Sequence, residues 1–234
     1  MFLFVKDNQV HIIVTVLLLI LVSSCGDTAD RDFREGEVHY SITYLESNLG
    51  KIPVELLPKE MTMKFRNGAV LTEIEGIFGY FNISNVTNSK KSDNFTYLKV
   101  MNKKFYFEGK PGEVAPGFRL MANMDIEFVD GGKEICGFNC EQAMVRLPEI
   151  TDGPIPVFFT REIGVEDPNS ATPYKEIEGV LLEFYLTLSN LKMKLIAENV
   201  YSKPVTDKKF EHPKDYLRIS KPIMEGILDS LMVN

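Results

Sequence analysis

The chain has 234 residues, 44% hydrophobic, 25% charged and 11% aromatic, with a formal net charge of −7, the make-up of a folded protein with one sizeable core. Lys and Arg form no run able to neutralise a phosphate backbone, so nucleic acid is not an expected partner. No Gly-rich phosphate loop, nucleophile elbow or H-E-x-x-H occurs, and His39 and His212 lack metal-ligand spacing to other donors; no enzymatic activity, metal or cofactor is expected.

The chain opens with Met1 to His11, carrying Lys6 as its one cation, followed by an apolar run from Ile12 to Val22 and then Ser23, Ser24 and Cys25. This order marks export. The run is about half of the roughly 20 apolar residues that cross a bilayer, so it reads as a signal h-region. Val22-Ser23-Ser24-Cys25 resembles the bacterial lipobox, which implies a signal peptide over 1–24 and acylation (palmitate among the acyl chains) of Cys25, the new N-terminus. The other reading is ordinary cleavage with Cys25 left as a thiol. More than one acyl chain gives stable membrane anchoring where a single chain does not. Residues 25–36 are polar and read as an acylated tether, leaving 37–234 as a single β-rich domain. Asp27-Thr28-Ala29 also resembles a short O-glycosylation motif of Bacteroidetes-type bacteria.

Alternation with a period of two dominates the rest. Val38, Tyr40, Ile42 and Tyr44 share a face, as do Met61, Met63 and Phe65, and Asn67-Gly68 then calls for a type I′ hairpin into Ala69 to Glu75. Pro53 to Lys59 reads as a short turn. Asn82, Asn85 and Asn94 each match the N-glycosylation pattern, which carries little meaning in a bacterial chain; Asn85 to Asp93 reads as a polar hairpin loop. Asn94 to Met101 and Lys104 to Glu108 flank a turn at Asn102-Lys103. Met124, Ile126 and Phe128 alternate before a turn at Asp130-Gly131-Gly132. Beyond Phe138 and Cys140 the apolar phase flips near Glu141-Gln142, as a bulge produces. Val180, Leu182, Phe184, Leu186 and Leu188 then face Leu191, Met193, Leu195 and Ala197 across Ser189-Asn190, with Lys192, Lys194 and Glu198 on the wet face. Pro222 to Met232 carries Ile223, Met224, Ile227, Leu228 and Leu231 on one helical stripe, with Pro222 suited to its first position.

Cys136 and Cys140 are either a disulfide, which needs the Cα atoms within about 7 Å and hence a kink at Gly137 or the bulge, or two buried or half-buried thiols. The ten methionines either line an adaptable apolar cavity or fill gaps in a core. The C-terminal helix either plugs the concave face or covers it as a lid.

Lys133-Glu-Ile-Cys-Gly-Phe-Asn-Cys-Glu-Gln-Ala143 resembles the I-x-G-[YF]-x-C-x-x-A signature of uncharacterised Bacteroidetes-type envelope lipoproteins that include the GLPGLI group. Val157 to Ile163, Tyr174 to Glu183 and Phe210 to Tyr216 are similar to further segments of that pattern, while Gly164 onward departs from it. The pattern's usual cysteine is the one matched by Cys140, and Cys136 is extra. The resemblance implies an architecture like LolA and LppX: a large antiparallel half-open β-barrel with a few short helices.

Together these readings predict a non-enzymatic lipoprotein of the bacterial cell envelope, held to the outer membrane or facing the periplasm. A lipid or other hydrophobic small molecule would lie in the concave face of the sheet. The predicted lining is Met61, Met63, Phe65, Met124, Phe128, Phe184, Leu186 and Met193. The alternative is a structural or protein-interaction module with a filled core.

Overall fold

A computed structural model describes residues 33–45, 54–147 and 153–232. The expected signal segment 1–24, Cys25 and the expected tether as far as residue 32 lie outside the described residues.

The protein is mainly β. Twelve strands form one sheet that does not close, in the order β12-β6-β5-β4-β3-β2-β1-β11-β10-β9-β8-β7. The first meander comprises β1 (Glu35–Tyr44), β2 (Glu60–Arg66), β3 (Ala69–Glu75), β4 (Phe81–Asn88), β5 (Asp93–Val100) and β6 (Lys103–Glu108). The second comprises β7 (Asp125–Ile135), β8 (Phe138–Arg146), β9 (Ile155–Thr160), β10 (Val180–Leu188) and β11 (Leu191–Tyr201). Antiparallel pairing of β1 with β11 fuses the two. β12 (Leu217–Arg218) pairs parallel with β6, and one helix, α1 (Lys221–Met232), follows it.

Period-two burial builds the inner face. Val38, Tyr40 and Ile42 on β1, Met61, Met63 and Phe65 on β2, and Leu191, Met193, Leu195 and Ala197 on β11 are all buried, while their strand neighbours are more exposed. The sheet is strongly curled. Thr96 of β5 and Leu186 of β10 line one pocket, although six strand spacings separate them, about 29 Å on a flat sheet. Bulges supply twist where β1 shifts against β11 at His39/Tyr40, where β7 shifts at Val129/Gly132, and where β10 shifts at Leu181/Glu183.

Several sequence expectations are corrected here. The sheet domain takes in residues 33–36, assigned above to the tether: Phe33 is buried edge-on to Phe138 at 4.9 Å, and β1 starts at Glu35. Asp130-Gly131-Gly132 is a bulge inside β7, not a turn. The turn is Cys136-Gly137, with φ of 54° and 78°, the same positive pair that Asn67-Gly68 shows at 52° and 82°. The β5–β6 turn falls on Met101-Asn102, one residue early, because Val100 pairs with Lys103. Asn85 to Asn88 belong to β4 rather than to a loop.

The β7 bulge also explains the phase flip in β8. It bends the hairpin tip back over its own sheet, so that Cys136 Sγ donates to the Ala197 carbonyl at 3.3 Å across two intervening strands and more. Phe138 and Cys140 are therefore buried on one pleat face, and Ala143 and Val145 on the other.

After β11 the chain crosses the outside of the first meander. Phe210, His212 and Tyr216 cover a second, smaller apolar cluster of Leu71, Val86 and Tyr97. The Tyr97 hydroxyl meets His212 Nδ1 at 2.9 Å, which gives His212 a packing role. The crossing ends in β12, which covers the edge that β6 would leave open.

Candidate functional site

The inner face holds apolar space bounded by both meanders, and the wall residues arise from simple alternation. Tyr40, Met61, Met63, Ile74 and Ile83 come from β1 to β4, and Phe184, Leu186, Leu188 and Met193 from β10 and β11. The bulge at Leu181/Glu183 changes the phase of β10, so Leu181 and not Leu182 joins Phe184 at this wall.

Two spaces open here. One has a cavity volume of about 90 Å³ and lies toward the middle of the strands; the other, about 230 Å³, lies at the end where β1 finishes and β11 begins, bounded by Tyr44, Leu57, Phe81, Val100, Leu191 and Leu231. Ile74, Leu188 and Met193 border both, so the two are halves of one hollow divided by three side chains.

The hollow is apolar because its tyrosines spend their protons on backbone carbonyls. Tyr40 donates to Leu181 O at 2.9 Å, Tyr44 to Pro58 O at 2.8 Å and Tyr174 to Tyr185 O at 2.5 Å. Burial raises the pKa of each phenol, so all three stay neutral and present ring faces. The Tyr40 and Tyr174 rings both meet Phe184 edge-on, at 5.7 and 6.0 Å.

One stretch of wall is polar. Asn85 Nδ2 donates to Asn94 Oδ1, Phe95 O and Thr96 Oγ1 at 3.1 to 3.3 Å. Asn94 Nδ2 in turn holds the β6–β7 loop through Lys110 O and Glu113 O, at 3.0 and 2.7 Å. Asn169 Nδ2 holds the β9–β10 loop through Ile177 O and Gly179 O, both at 2.8 Å. Ala115 N–H to Ala171 O, at 2.8 Å, joins the two loops over the hollow. Helix α1 completes the cover, burying Met224 and Leu228, while Ser189 Oγ donates to Asp229 Oδ1 at 2.6 Å and Lys221 Nζ to Val114 O at 2.6 Å. Ile223, placed above on the apolar stripe, is exposed instead, because an i, i+4 pair suffices to dock one face of so short a helix.

Of the eight side chains expected to line a cavity, Met61, Met63, Phe184, Leu186 and Met193 border the hollow. Phe65 is buried in the core beyond it, Met124 packs half-buried against the core, and Phe128 is exposed near the β7 edge, edge-on to Phe159 at 6.0 Å. Phe128 departs from expectation because β7 is an edge strand with a neighbour on one side alone, and Met124 lies just before that strand begins. The loop residues Ala115, Phe118, Asn169 and Tyr174, which also line the hollow, had no periodic signal by which to be found.

A second cluster was hidden from sequence reasoning. Glu183, on the opposite pleat face of β10 from Phe184, is 7% exposed rather than solvated. Lys133 Nζ reaches it at 2.5 Å and Lys194 Nζ at 2.8 Å. Burial pushes the carboxyl pKa up, but the hydrogen bonds and charges of the two lysines outweigh this and hold it below the ordinary range. Cys136 and Cys140 are free thiols. Burial pushes Cys140 up to about 11 and also raises Cys136, so both are protonated and weakly nucleophilic at neutral pH. Among the described residues no group of three or more His, Cys, Asp or Glu is placed to hold a metal ion.

These features define an open, lidded antiparallel sheet with an apolar interior. No family model matches the chain, and no curated protein matches it. Two crystal forms of PNGF-II are similar in structure, with TM-scores of 0.54 and 0.53 at 14% identity, covering 83% and 84% of this chain and 33% and 32% of PNGF-II. The chain thus spans about a third of the length of PNGF-II, and the likeness shows the fold alone. MucB aligns with a TM-score of 0.30 at 9% identity over 80% of this chain and 60% of MucB, too distant to carry an argument. Among the described residues no helix is long and apolar enough to cross a membrane.

Proposed function

We propose that the protein is a non-enzymatic lipoprotein of the bacterial cell envelope. Acyl chains on Cys25 hold a half-open β-barrel, of the kind resembling LolA and LppX, at a membrane surface, and its hollow takes a slender hydrophobic ligand such as an acyl chain. The observation that carries this reading is the pair of apolar spaces meeting at Ile74, Leu188 and Met193 beneath two loops and a helix. The leader sequence supports the anchor, and the neutral tyrosines support an apolar occupant.

Two measurements test it. Radiolabelled palmitate is expected to incorporate into the wild-type chain and not into Cys25→Ser. Lipid extraction and mass spectrometry of purified Cys25→Ser protein are expected to release a stoichiometric apolar molecule, and an interior that is repeatedly empty rejects the carrier reading.

One observation favours the second reading, a structural or protein-interaction module. The larger space, about 230 Å³, is below the roughly 300–1,000 Å³ of ordinary ligand pockets. Retained protein partners with no co-purifying lipid would decide for it.

A further inference from the structure

Five of the nine most exposed large hydrophobic side chains among the described residues gather at one end of the sheet: Leu45, Leu56, Phe78, Tyr80 and Met101 with four others elsewhere. They come from the end of β1, the turn before β2, the β3–β4 connection and the β5–β6 turn. Met101 N–H donates to Tyr80 O at 2.6 Å, and Leu45 N–H to Lys192 O at 2.9 Å, so these tips are tied into a common rim. Leu56 and Tyr80 themselves border the 230 Å³ space. The rim therefore borders the mouth of this space on its β1–β6 side.

The backbone pushes the tips outward. Phe78 sits at φ 57° and is 89% exposed, and Met101 sits at φ 53° and is 65% exposed. Positive φ costs free energy for any residue with a Cβ, and neither side chain recovers it through packing.

Charge selects the kind of partner. Lys59, Lys99 and Lys103 stand among these tips, with Lys99 Nζ beside Gly79 and Lys59 Nζ 5.5 Å over the Tyr44 ring. With Lys192, whose carbonyl holds Leu45, they outnumber Glu55, Glu60 and Glu75 by one, while Arg119 and Asp229 pair at 3.5 Å. The described residues of the rim thus carry a small positive excess in a chain of net charge −7, which favours contact with an anionic surface through this face. Separate protruding tips also match a fluid apolar phase, which needs no shape complementarity, better than a rigid protein surface, which does.

We infer that this rim docks on a phospholipid bilayer, with Phe78, Tyr80 and Met101 inserted at the level where headgroups meet acyl chains, and the mouth of the hollow opening onto the lipid. Aromatic side chains with a polar tip and lysines on long stems are suited to that boundary. The inference goes beyond the proposed function and does not need the hollow to be occupied.

The chain contains no tryptophan, so Phe78→Trp places a single indole at the rim. Tyr201→Trp places one at the far end of β11, about 33 Å away along the strand. Each full-length variant, made in a Cys25→Ser background so that no acyl chain is attached, is added to phosphatidylglycerol vesicles whose acyl chains carry bromine, a quencher that acts on contact within the bilayer interior. The indole at position 78 is expected to shift to the blue and lose fluorescence to the brominated lipid, and the one at 201 to do neither. Water-like emission at 78, or equal quenching at both positions, overturns the inference. So does a blue shift at 78 that appears without lipid and grows with protein concentration, since a second copy then covers the rim. A hollow found empty by lipid extraction leaves this result untouched.

Discussion

The two walls of the hollow are built differently. The wall of β9 to β11 is solid: Val157, Phe159, Leu182 and Leu195 have no exposed surface, and nearly every residue of β10 is buried. The opposite wall, β3 to β5, presents Thr72, Asn85 and Thr96 among Ile74 and Ile83, and Asn85 bonds to Thr96 instead of reaching across. Close packing leaves space where side chains are too short to meet. The hollow is thus a property of the β3–β5 wall, and the opposite wall provides the stability that lets it persist.

Truncations on the two sides sharpen this contrast most. Leu195→Ala, in the solid wall, is expected to cost about 4 kcal/mol, whereas Ile83→Ala, which already faces space, costs about 2 kcal/mol. Urea denaturation midpoints at constant m-value measure both, and equal losses would mean that the walls pack alike.

Glu183→Gln comes next, because it removes the charge that Lys133 and Lys194 share on the back of the solid wall; a loss of about 2 kcal/mol is expected at pH 7. The pH dependence follows from the lowered carboxyl pKa. A depressed folded-state value stabilises above the ordinary pKa of 4.5 and is lost as pH falls below it. Wild type is therefore expected to lose stability relative to Glu183→Gln on acidification through and below about pH 4.5. Parallel pH profiles for the two proteins would remove Glu183 from the account.

Filling the hollow is a smaller perturbation. Ile74→Phe puts added volume where the two spaces meet and is expected to change stability by less than about 1 kcal/mol, while reducing any lipid recovered by extraction. A large destabilisation would show that the space is not available to a side chain. The smallest effect concerns the fold-back of the β7–β8 tip: Cys140 is expected to resist alkylation at pH 7 until denaturant is added, since its thiol is buried and its pKa pushed up to about 11. Rapid labelling of native protein would mean that the tip opens.

Much of the sheet was readable in advance because alternation and Asn67-Gly68 are local signals. The inner faces of β1, β2 and β11 follow directly from residues two apart, and five of the eight expected lining residues border the hollow. Phe128 escaped because alternation reports which residues share a face, not whether a neighbour covers it. The Cys136-Gly137 turn escaped because the preceding Asp130-Gly131-Gly132 carries a stronger turn composition yet is absorbed as a bulge. Glu183 escaped because its partners are 50 and 11 residues away in the chain.

Strand phase, the hairpin at Asn67-Gly68 and the amphipathic C-terminal helix were determined by the amino-acid sequence itself, since each depends on φ/ψ preferences and side-chain direction within a few residues. Tertiary structure alone decided which strands sit at the edges, how far the sheet curls, which loops cover it, and that Glu183 is buried between two lysines. Those outcomes rest on contacts between segments far apart in the chain: the curl and the loop cover need the β1–β11 pairing that joins the two meanders, and the Glu183 cluster needs β7, β10 and β11 assembled within the second.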